Sequence, residues 1–380
     1  MSSIGAVSSV DDMIALTASS SMLTEPRLTV DLDAVGHNTR TLASKTTLMA
    51  VVKADGFGHG AAEVARTALA NGAIALGVAT LDEAIALRAV TDAPILAWVT
   101  HRASDFDAAL LAGIELAVPS VDHLDAITRA ARTTRLAARV HLHLDTGMAR
   151  DGAPREQWLT LAAAARRAER LGQIDVVGMM SHLGLGEKPG HPATAAAVTR
   201  FVEAEAVLRS VGLRPAIRHL AATAAALNEP AARFDLCRIG AGLYGIGAGL
   251  REAMTLTAPV VSVRDVPRGT PVGYGHSYVT DRATRLALIP LGYADGIPRI
   301  ASGNASVLVR GRRTPLAGTV SMDQLVIDVG TLGVEAGDIV TVFGPGDDGE
   351  PTIADWARWS RTIPHEIMTG IGSRVVRSVA

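Results

Sequence analysis

The sequence has a single cysteine, Cys237, among its 380 residues. One thiol excludes an internal disulfide and gives no sign of a secreted disulfide scaffold. No apolar run reaches the roughly 20 residues that a membrane-spanning helix needs. The opening segment, MSSIGAVSSVDDMIALTASSSMLTEP, lacks a basic start and carries Asp11 and Asp12, which makes it a poor signal peptide. We therefore expect a cytoplasmic protein without a membrane partner.

An excess of charge of either sign is also missing. The chain has 36 Lys and Arg against 38 Asp and Glu, for a net charge of −2. This balance gives no electrostatic case for binding nucleic acid or an acidic membrane surface. Hydrophobic residues make up 48% and charged residues 19%, which is typical of a globular enzyme with a large core, and the length predicts two domains.

Short apolar runs alternate with helical patterns from Thr46 onward. The predicted strands are 47–53, 74–80, 94–99, 114–118, 138–145, 174–181, 216–221 and 235–239. Amphipathic or alanine-rich segments separate them, for example LDEAIALRAV and REQWLTLAAAARRAERLG. Eight strand-then-helix units predict a (β/α)₈ barrel of the α/β class. An open doubly wound sheet is the alternative, but no GxGxxG follows the first strand.

The pattern changes after Gly249. Residues 251–380 contain short β-like runs broken by glycine and proline, and two short helical patterns, ADWARW and PHEIMTGI. We expect a flexible N-terminal extension over residues 1–27, a barrel over 28–249, and a predominantly β domain over 250–380.

The segment AVVKADGFGHG, residues 50–60, is the strongest local signal. An apolar strand delivers Lys53 to its end, and three glycines follow within seven residues. Burying this amine is costly unless it is paired or used, and the glycines clear space for another group to approach. A desolvated lysine has a lowered pKa and can form a Schiff base. A lysine that escapes to solvent at a strand end is the alternative interpretation.

Side chains just past the strand ends of such a barrel meet on one face. By predicted strand these are Lys53, Arg150, His182, Thr223 and Arg238. Phosphate sites in barrels are often built from the loops after strands seven and eight, which read AATAAAL and IGAG here. Backbone amides at a helix start and a glycine turn suit a phosphate dianion, and a threonine hydroxyl would add a donor.

The segment around Lys53 resembles the pyridoxal-phosphate lysine motif of bacterial alanine racemases. The resemblance runs from about Leu28 to Arg377 and includes, in the family's order, HLHLDTGMARDG, MMSHL, RHLAATAAAL, DLCRIGAGLYG, PVGYGHSY, PLGYADGIPR, AGTVSMDQLVIDV and TIPHEIMTGI. It implies a racemase that uses pyridoxal 5′-phosphate, acts most typically on alanine, and works as a homodimer with active sites at the subunit interface.

The resemblance also implies roles for individual residues. Lys53 would carry the cofactor and act as one acid–base group, and Tyr274 of the other subunit would act on the opposite face of the substrate α-carbon. His182 and Arg238 would lower the pKa of that tyrosine. Arg238 would also donate to the pyridine nitrogen and leave it unprotonated, which weakens the cofactor as an electron sink and favours quick reprotonation.

Further matches complete the expected site. Arg150 would pair with the phenolic oxygen of the cofactor, Met322 and Asp323 would lie near the substrate carboxylate, and Tyr293 would line the entrance. The expected cofactor-binding set is Lys53, Phe57, Thr223, Arg238, Gly240, Ala241 and His365, and no metal site is expected. Without the resemblance, the same residues fit ordinary roles: a surface ion pair for Arg150, core for Met322 and a turn for Asp323.

The chain departs from the family pattern at four places. Phe57 and His365 replace tyrosines, which removes two phenolic donors near the phosphate and the entrance; each lost hydrogen bond costs about 0.5–1.5 kcal/mol. His143 replaces a lysine that many members carbamylate, so Arg150 needs another acid, an anion or the imidazole to orient it. Ala222 and Thr223 replace an Asn-Ser pair.

Several functions remain open at this point. Alanine racemisation leads, and the Phe57 and His365 changes favour a larger or polar amino acid such as serine as the alternative. A fold-related amino-acid decarboxylase would need an acidic partner for the pyridine nitrogen and a cysteine in the β domain. This chain has Arg238 for the first, and its one cysteine, Cys237, falls in the predicted barrel. A non-catalytic cofactor-binding protein would resemble the barrel alone.

Overall fold

The computed structural model describes residues 25–380, so most of the predicted 1–27 extension lies outside the described residues. The chain forms two compact units, one from Leu32 to Arg251 and the other from Glu252 to Ala380 together with the described residues up to Asp31. Strand β1 (Arg27–Val30) therefore belongs with the C-terminal residues. The sequence placed residues 28–31 with the barrel, because a four-residue strand carries no mark of its distant pairing partner.

The first unit alternates strands and helices. Its strands are β2 (Leu48–Val51), β3 (Ala73–Val78), β4 (Ile95–Ala97), β5 (Glu115–Val118), β6 (Ala138–His143), β7 (Ile174–Met180), β8 (Ile217–His219) and β9 (Cys237–Ile239). Its helices are α1 (Leu32–Ala43), α2 (Ala61–Ala70), α3 (Leu81–Arg88), α4 (Phe106–Leu111), α5 (Val121–Thr134), α6 (Trp158–Arg170), α7 (Pro192–Ser210) and α8 (Thr223–Asn228). Seven of the eight predicted strand regions contain one of these strands, and the eighth, 74–80, overlaps β3, which begins one residue earlier at Ala73.

The eight strands form one parallel sheet in the order β8-β7-β6-β5-β4-β3-β2-β9. A parallel bridge between Ala222 and Arg238 joins the two edge strands, so the sheet is nearly closed into the predicted barrel. The strands are apolar because helices cover their outer faces while the barrel interior buries the inner ones. A core cluster inside the unit consists of Met49, Ala75, Leu96, Ala117, Met180 and Leu236.

The second unit is mostly β, as predicted. Its further strands are β10 (Met254–Pro259), β11 (Ser262–Val266), β12 (Pro271–Val272), β13 (Tyr278–Val279), β14 (Thr284–Ile289), β15 (Ser306–Val309), β16 (Arg312–Pro315), β17 (Leu325–Asp328), β18 (Ile339–Phe343) and β19 (Val376–Val379). They form a six-stranded sheet, β16-β15-β18-β10-β1-β19, a three-stranded sheet, β11-β14-β17, and the hairpin β12–β13. Helices α9 (Ile353–Trp359) and α10 (Pro364–Gly370) match the two predicted helical segments.

No helix in the described part of the chain is both long and apolar enough to span a membrane.

Candidate active site

Lys53 stands at the C-terminal end of β2 and begins a tight turn, Lys53–Phe57. The turn is left-handed: Ala54, Asp55 and Phe57 have φ of 52°, 52° and 55°, and Gly56 has φ of 62°. Left-handed backbone costs a residue with a Cβ roughly 1–2 kcal/mol. The sequence predicted a glycine turn here, but not that non-glycine residues would share its strained conformation.

Side chains around this turn hold it in place. Glu83 Oε1 accepts a hydrogen bond from the Ala54 N–H at 2.7 Å, and Asp55 Oδ1 accepts one from the Ala61 N–H at 2.8 Å. The buried Tyr244 hydroxyl donates to the Val51 carbonyl at 3.2 Å, and its ring stacks on His59 with centroids 4.3 Å apart. These contacts compensate the backbone strain and hold the turn that begins at Lys53 in place.

The Lys53 ammonium lies in a setting that favours the neutral amine. Burial is the main cause of its lowered pKa, and the positive charges of Arg150 and Arg238 lower the pKa further, while Glu83 opposes them. The structure thus couples three of the predicted site residues electrostatically. A lysine with a depressed pKa is the form that attacks a carbonyl carbon.

Arg238 is the central residue of the site, with hydrogen bonds to several neighbouring residues. It lies within β9, rather than beyond its end as the strand count suggested, and it is 5% exposed. Its Nη2 donates to the carbonyls of Ser181 at 2.6 Å and Leu220 at 3.1 Å, and its Nη1 donates to the His219 carbonyl at 2.8 Å. No acceptor for its Nε is found among residues 25–380. Burial lowers the pKa of Arg238 to about 10, so it remains charged.

His182 is half-buried and lies next to this guanidinium. Arg238 Nη2 donates to His182 Nδ1 at 3.1 Å, which leaves the histidine proton on Nε2. Burial, followed by the charges of Arg238, Arg150 and Lys53, lowers the pKa of His182 to about 3. His182 is therefore a neutral hydrogen-bond donor in this site and not a cation.

Three polar residues that the sequence interpretation did not select lie behind Arg238. His219, His141 and Glu115 are 0%, 1% and 5% exposed and form a hydrogen-bonded chain in the barrel interior. The signal for two of them was present: histidines at inward positions of strands otherwise filled with apolar residues. The hydrogen bonds between the three residues could not be predicted, because His141 lies 26 residues from Glu115 and 78 residues from His219 in the sequence.

The loops after β8 and β9 carry the residues that the sequence predicted to bind a phosphate. Thr223 is the first residue of α8, and its hydroxyl accepts the Gly242 N–H at 3.1 Å. Ala241 begins a 3₁₀ helix, Ala241–Tyr244, directly after Gly240. The N–H groups that open both helices have no partner within their own helix.

Phe57 packs against Gly240, in the loop after β9. A Cβ added to Gly240 would meet the Phe57 ring at 2.9 Å, and Phe57 also packs on Tyr244 with centroids 4.8 Å apart. The residue expected to lack a phosphate-binding hydroxyl is therefore a packing residue here, and glycine is required opposite it.

His143, at the carbamylated-lysine position, has an acidic neighbour. Its Nδ1 lies 3.5 Å from Asp151 Oδ2, and Asp151 directly follows Arg150 in the chain. Burial alone would raise the pKa of Asp151, but the neighbouring His143 and a hydrogen bond from the Gly152 N–H keep it below its usual value. Arg150 itself is exposed and has no ion pair with any residue that the structure describes.

The remaining predicted residues belong to the second unit. Tyr274 lies in the turn between β12 and β13 with 73% of its surface exposed, and its carbonyl accepts from the Thr319 hydroxyl at 3.1 Å. Tyr293 and Met322 are held in adjacent loops, since the Ala294 N–H donates to the Met322 carbonyl at 2.9 Å.

Two other predicted residues of this unit have local roles in the structure. Asp323 accepts from Arg374 Nη1 at 2.7 Å in an exposed ion pair, whereas its ordinary interpretation from the sequence was a turn residue. His365 is the second residue of α10, and its carbonyl accepts from the Thr369 hydroxyl at 2.8 Å.

Comparison with known proteins gives the same result for both units. Residues 30–248 match the family model "Alanine racemase, N-terminal domain", and residues 253–379 match "Alanine racemase, C-terminal domain". The alanine racemase of Thermobifida fusca is 48% identical over 359 residues, which cover 92% of this chain and 96% of that protein.

Solved structures agree. The alanine racemase of Streptomyces coelicolor A3(2) superposes with a TM-score of 0.92 at 44% identity, covering 94% of this chain and 98% of that one. The alanine racemase of Bartonella henselae, solved with covalently bound pyridoxal phosphate, superposes with a TM-score of 0.85 at 28% identity, covering 94% and 100%.

Proposed function

The chain belongs to the alanine racemase family, and we propose that it interconverts L-alanine and D-alanine with pyridoxal 5′-phosphate held at the mouth of the barrel. The observation that carries the proposal is Lys53, an amine of lowered pKa on a strained turn, electrostatically coupled to Arg150, Arg238 and His182. Nothing in the comparisons favours serine as the substrate.

The residues of the first unit fit this cofactor. Lys53 would hold its aldehyde carbon, and Nε of Arg238 has a proton to donate to the pyridine nitrogen. The opening N–H groups of α8 and the Ala241 N–H, with the Thr223 hydroxyl, would hold the phosphate. Arg150, whose charge acts on Lys53, would pair with the phenolic oxygen. When bound, pyridoxal phosphate makes the substrate α-proton acidic by withdrawing electrons from the α-carbon.

The protein's own groups would then move the proton. On one face of the α-carbon, Lys53 would take a proton as the neutral amine and return one as the ammonium, and on the other face Tyr274 would take a proton as the phenolate and return one as the phenol. Neutral His182 would donate its Nε2–H to the Tyr274 phenolic oxygen and so stabilise the phenolate form. Because Arg238 is charged at neutral pH, it would orient the cofactor ring without giving up a proton.

We also propose that Tyr274 serves the site of a second copy, so that the enzyme is a homodimer. Tyr274, Tyr293 and Met322 are 73%, 42% and 52% exposed, which is unusual for large side chains and fits a surface covered by another subunit. The single free cysteine, Cys237, is compatible with the reducing conditions of the cytoplasm, where we place the enzyme.

Complementation between two inactive chains tests this arrangement. Lys53→Ala and Tyr274→Phe chains carrying different tags are co-expressed, and α-proton exchange of L-alanine in heavy water is followed by NMR. Half of randomly paired dimers are mixed, and one of the two sites in each is intact, so activity should return to about a quarter of the unmodified level.

The controls separate the parts of the proposal. Tyr278→Phe alters a tyrosine of the same hairpin and should retain activity without complementation. No recovery on mixing would show that Lys53 and Tyr274 of one chain form the site, whereas an active Tyr274→Phe chain on its own would show that Tyr274 is not needed. Absence of exchange in the unmodified enzyme supplied with pyridoxal phosphate would refute the racemase assignment.

A further inference from the structure

A line of polar side chains crosses the barrel interior from Arg238 to Glu115. Arg238 Nη1 lies 3.0 Å from His219 Nδ1, His219 Nε2 lies 2.9 Å from His141 Nδ1, and His141 Nε2 lies 2.9 Å from Glu115 Oε2. All four residues are at most 5% exposed. A buried polar chain of this length is destabilising unless every member is satisfied.

Only one arrangement of protons satisfies all three contacts. Arginine can only donate, so His219 Nδ1 must accept, and a neutral imidazole then carries its proton on Nε2. That proton goes to His141 Nδ1, which leaves the His141 proton on Nε2, facing Glu115. A protonated Glu115 would reverse both imidazoles and bring a His219 N–H against an Arg238 N–H.

The neutral state of His219 agrees with its surroundings. Burial, followed by the neighbouring His141 and the charge of Arg238, holds the pKa of His219 well below its ordinary value. Burial would raise the pKa of Glu115, but hydrogen bonds from His141 and Arg139 keep it below its usual value. Glu115 is therefore ionised at the far end of the line.

The same line connects two buried charges. In the part of the chain that the structure describes, no carboxylate pairs with Arg238; its partners are carbonyls and imidazoles. Glu115 supplies a negative charge across the two imidazoles, while Arg139, which is half exposed, donates to its other oxygen at 2.8 Å. A buried charge needs compensation, and this carboxylate is the one connected to Arg238 by hydrogen bonds.

The barrel makes room for this arrangement. A Cβ at Gly178 of β7 would lie 2.1 Å from His141 Nδ1, so the glycine permits the imidazole to occupy the interior. The line ends on Arg238, whose second terminal nitrogen contacts His182. The guanidinium is thus held by the imidazoles of His219 and His182 together with the carbonyls of Ser181, His219 and Leu220.

We propose that Glu115 is a positioning residue: it sets the tautomers of His141 and His219, and through them orients the Arg238 guanidinium toward the cofactor. The inference rests on the proposed function only in its last step, because the alignment of the imidazoles exists without the cofactor. The orientation of Arg238 toward the cofactor ring would thus depend on a carboxylate at the opposite end of the barrel.

The test compares Glu115→Ala and Glu115→Gln with the full-length protein labelled with ¹⁵N-histidine. In the unmodified protein, His141 and His219 should both give the Nε2–H tautomer, with strongly hydrogen-bonded protons. Glu115→Ala should leave His141 without an acceptor and give mixed tautomers at both histidines. Glu115→Gln, whose amide oxygen can still accept, should keep the tautomer but weaken the His141 hydrogen bond.

The matched control is Glu205→Gln, which alters another buried glutamate that accepts from arginines but has no connection to Arg238. It should leave both histidine signals unchanged. With pyridoxal phosphate bound, kcat for alanine should fall by about tenfold or more in Glu115→Ala and partly recover in Glu115→Gln, the scale seen when a supporting hydrogen-bond partner is removed. The visible spectrum of the cofactor should shift in the same order.

Unchanged His141 and His219 signals in Glu115→Ala would overturn the proposal. If that variant does not fold, an unchanged His141 proton in Glu115→Gln would overturn it equally. A kcat loss no greater than that of Glu205→Gln would remove the link to catalysis. Altered tautomers in a protein that cannot racemise alanine would refute the proposed function while retaining the role of Glu115 in the barrel.

Discussion

His182 should stay neutral at pH 5, where an ordinary histidine is mostly protonated. With a pKa of about 3, about 1% of the molecules would carry the charge at that pH, against about 97% for the unperturbed value of 6.5. The difference corresponds to about 5 kcal/mol of disfavoured protonation. Burial is the main cause, and the charges of Arg238, Arg150 and Lys53 add to it.

The lowered pKa also predicts how stability depends on pH. The folded state binds this proton less readily than the unfolded chain, so the contribution of His182 is complete above pH 6.5 and declines as the pH falls toward 3. Between pH 8 and pH 5 the loss is about 2 kcal/mol. His182→Gln should therefore lose about 2 kcal/mol less unfolding free energy than the unmodified protein over that interval.

Histidine ¹⁵N chemical shifts measured from pH 8 to pH 5 provide the direct assay, with His182 assigned from His182→Gln. Arg150→Gln removes one exposed charge and should raise the pKa of His182, though not to 6.5, because burial and Arg238 remain. Arg132→Gln, on the exposed face of α5, is the matched control and should change nothing. A His182 midpoint between pH 6 and 7 in the unmodified protein would refute the reasoning.

Two further predictions concern the second unit. Burial raises the pKa of Glu252 to about 7, so ionising this carboxyl destabilises the fold as the pH rises from 4.5 through 7. Glu252→Gln should therefore raise the unfolding free energy by about 2–3 kcal/mol at pH 8 and hardly at pH 4. Urea titrations with equal gains at both pH values would contradict this. Thr352 caps α9 by accepting the Asp355 N–H at 3.1 Å. Thr352→Ala should lower the unfolding free energy by about 1 kcal/mol in thermal or urea unfolding, and Thr352→Ser should lower it less. Equal losses of unfolding free energy in the two variants would exclude the cap as the cause.

Much of the candidate site could be predicted because barrel geometry assigns meaning to position. Any residue at the carboxyl end of a barrel strand faces the same mouth, so Lys53, His182 and Thr223 could be grouped without knowing a single distance. Their chemical types then indicated an amine, an imidazole and a hydroxyl for one cofactor. Tyr274 and Met322 could be selected only through the family resemblance, because no local pattern distinguishes them.

The eight strand regions, the change to a β domain near residue 250 and the glycine turn after Lys53 could be read from the amino-acid order, since each depends on neighbours within a few residues. The folded chain was needed to show that β1 pairs with β10 and β19, that Phe57 packs against Gly240, and that Glu115 is connected to Arg238 through two histidines. These contacts join residues far apart in the chain. Their geometry follows from strand register and barrel closure, which no short stretch of sequence specifies.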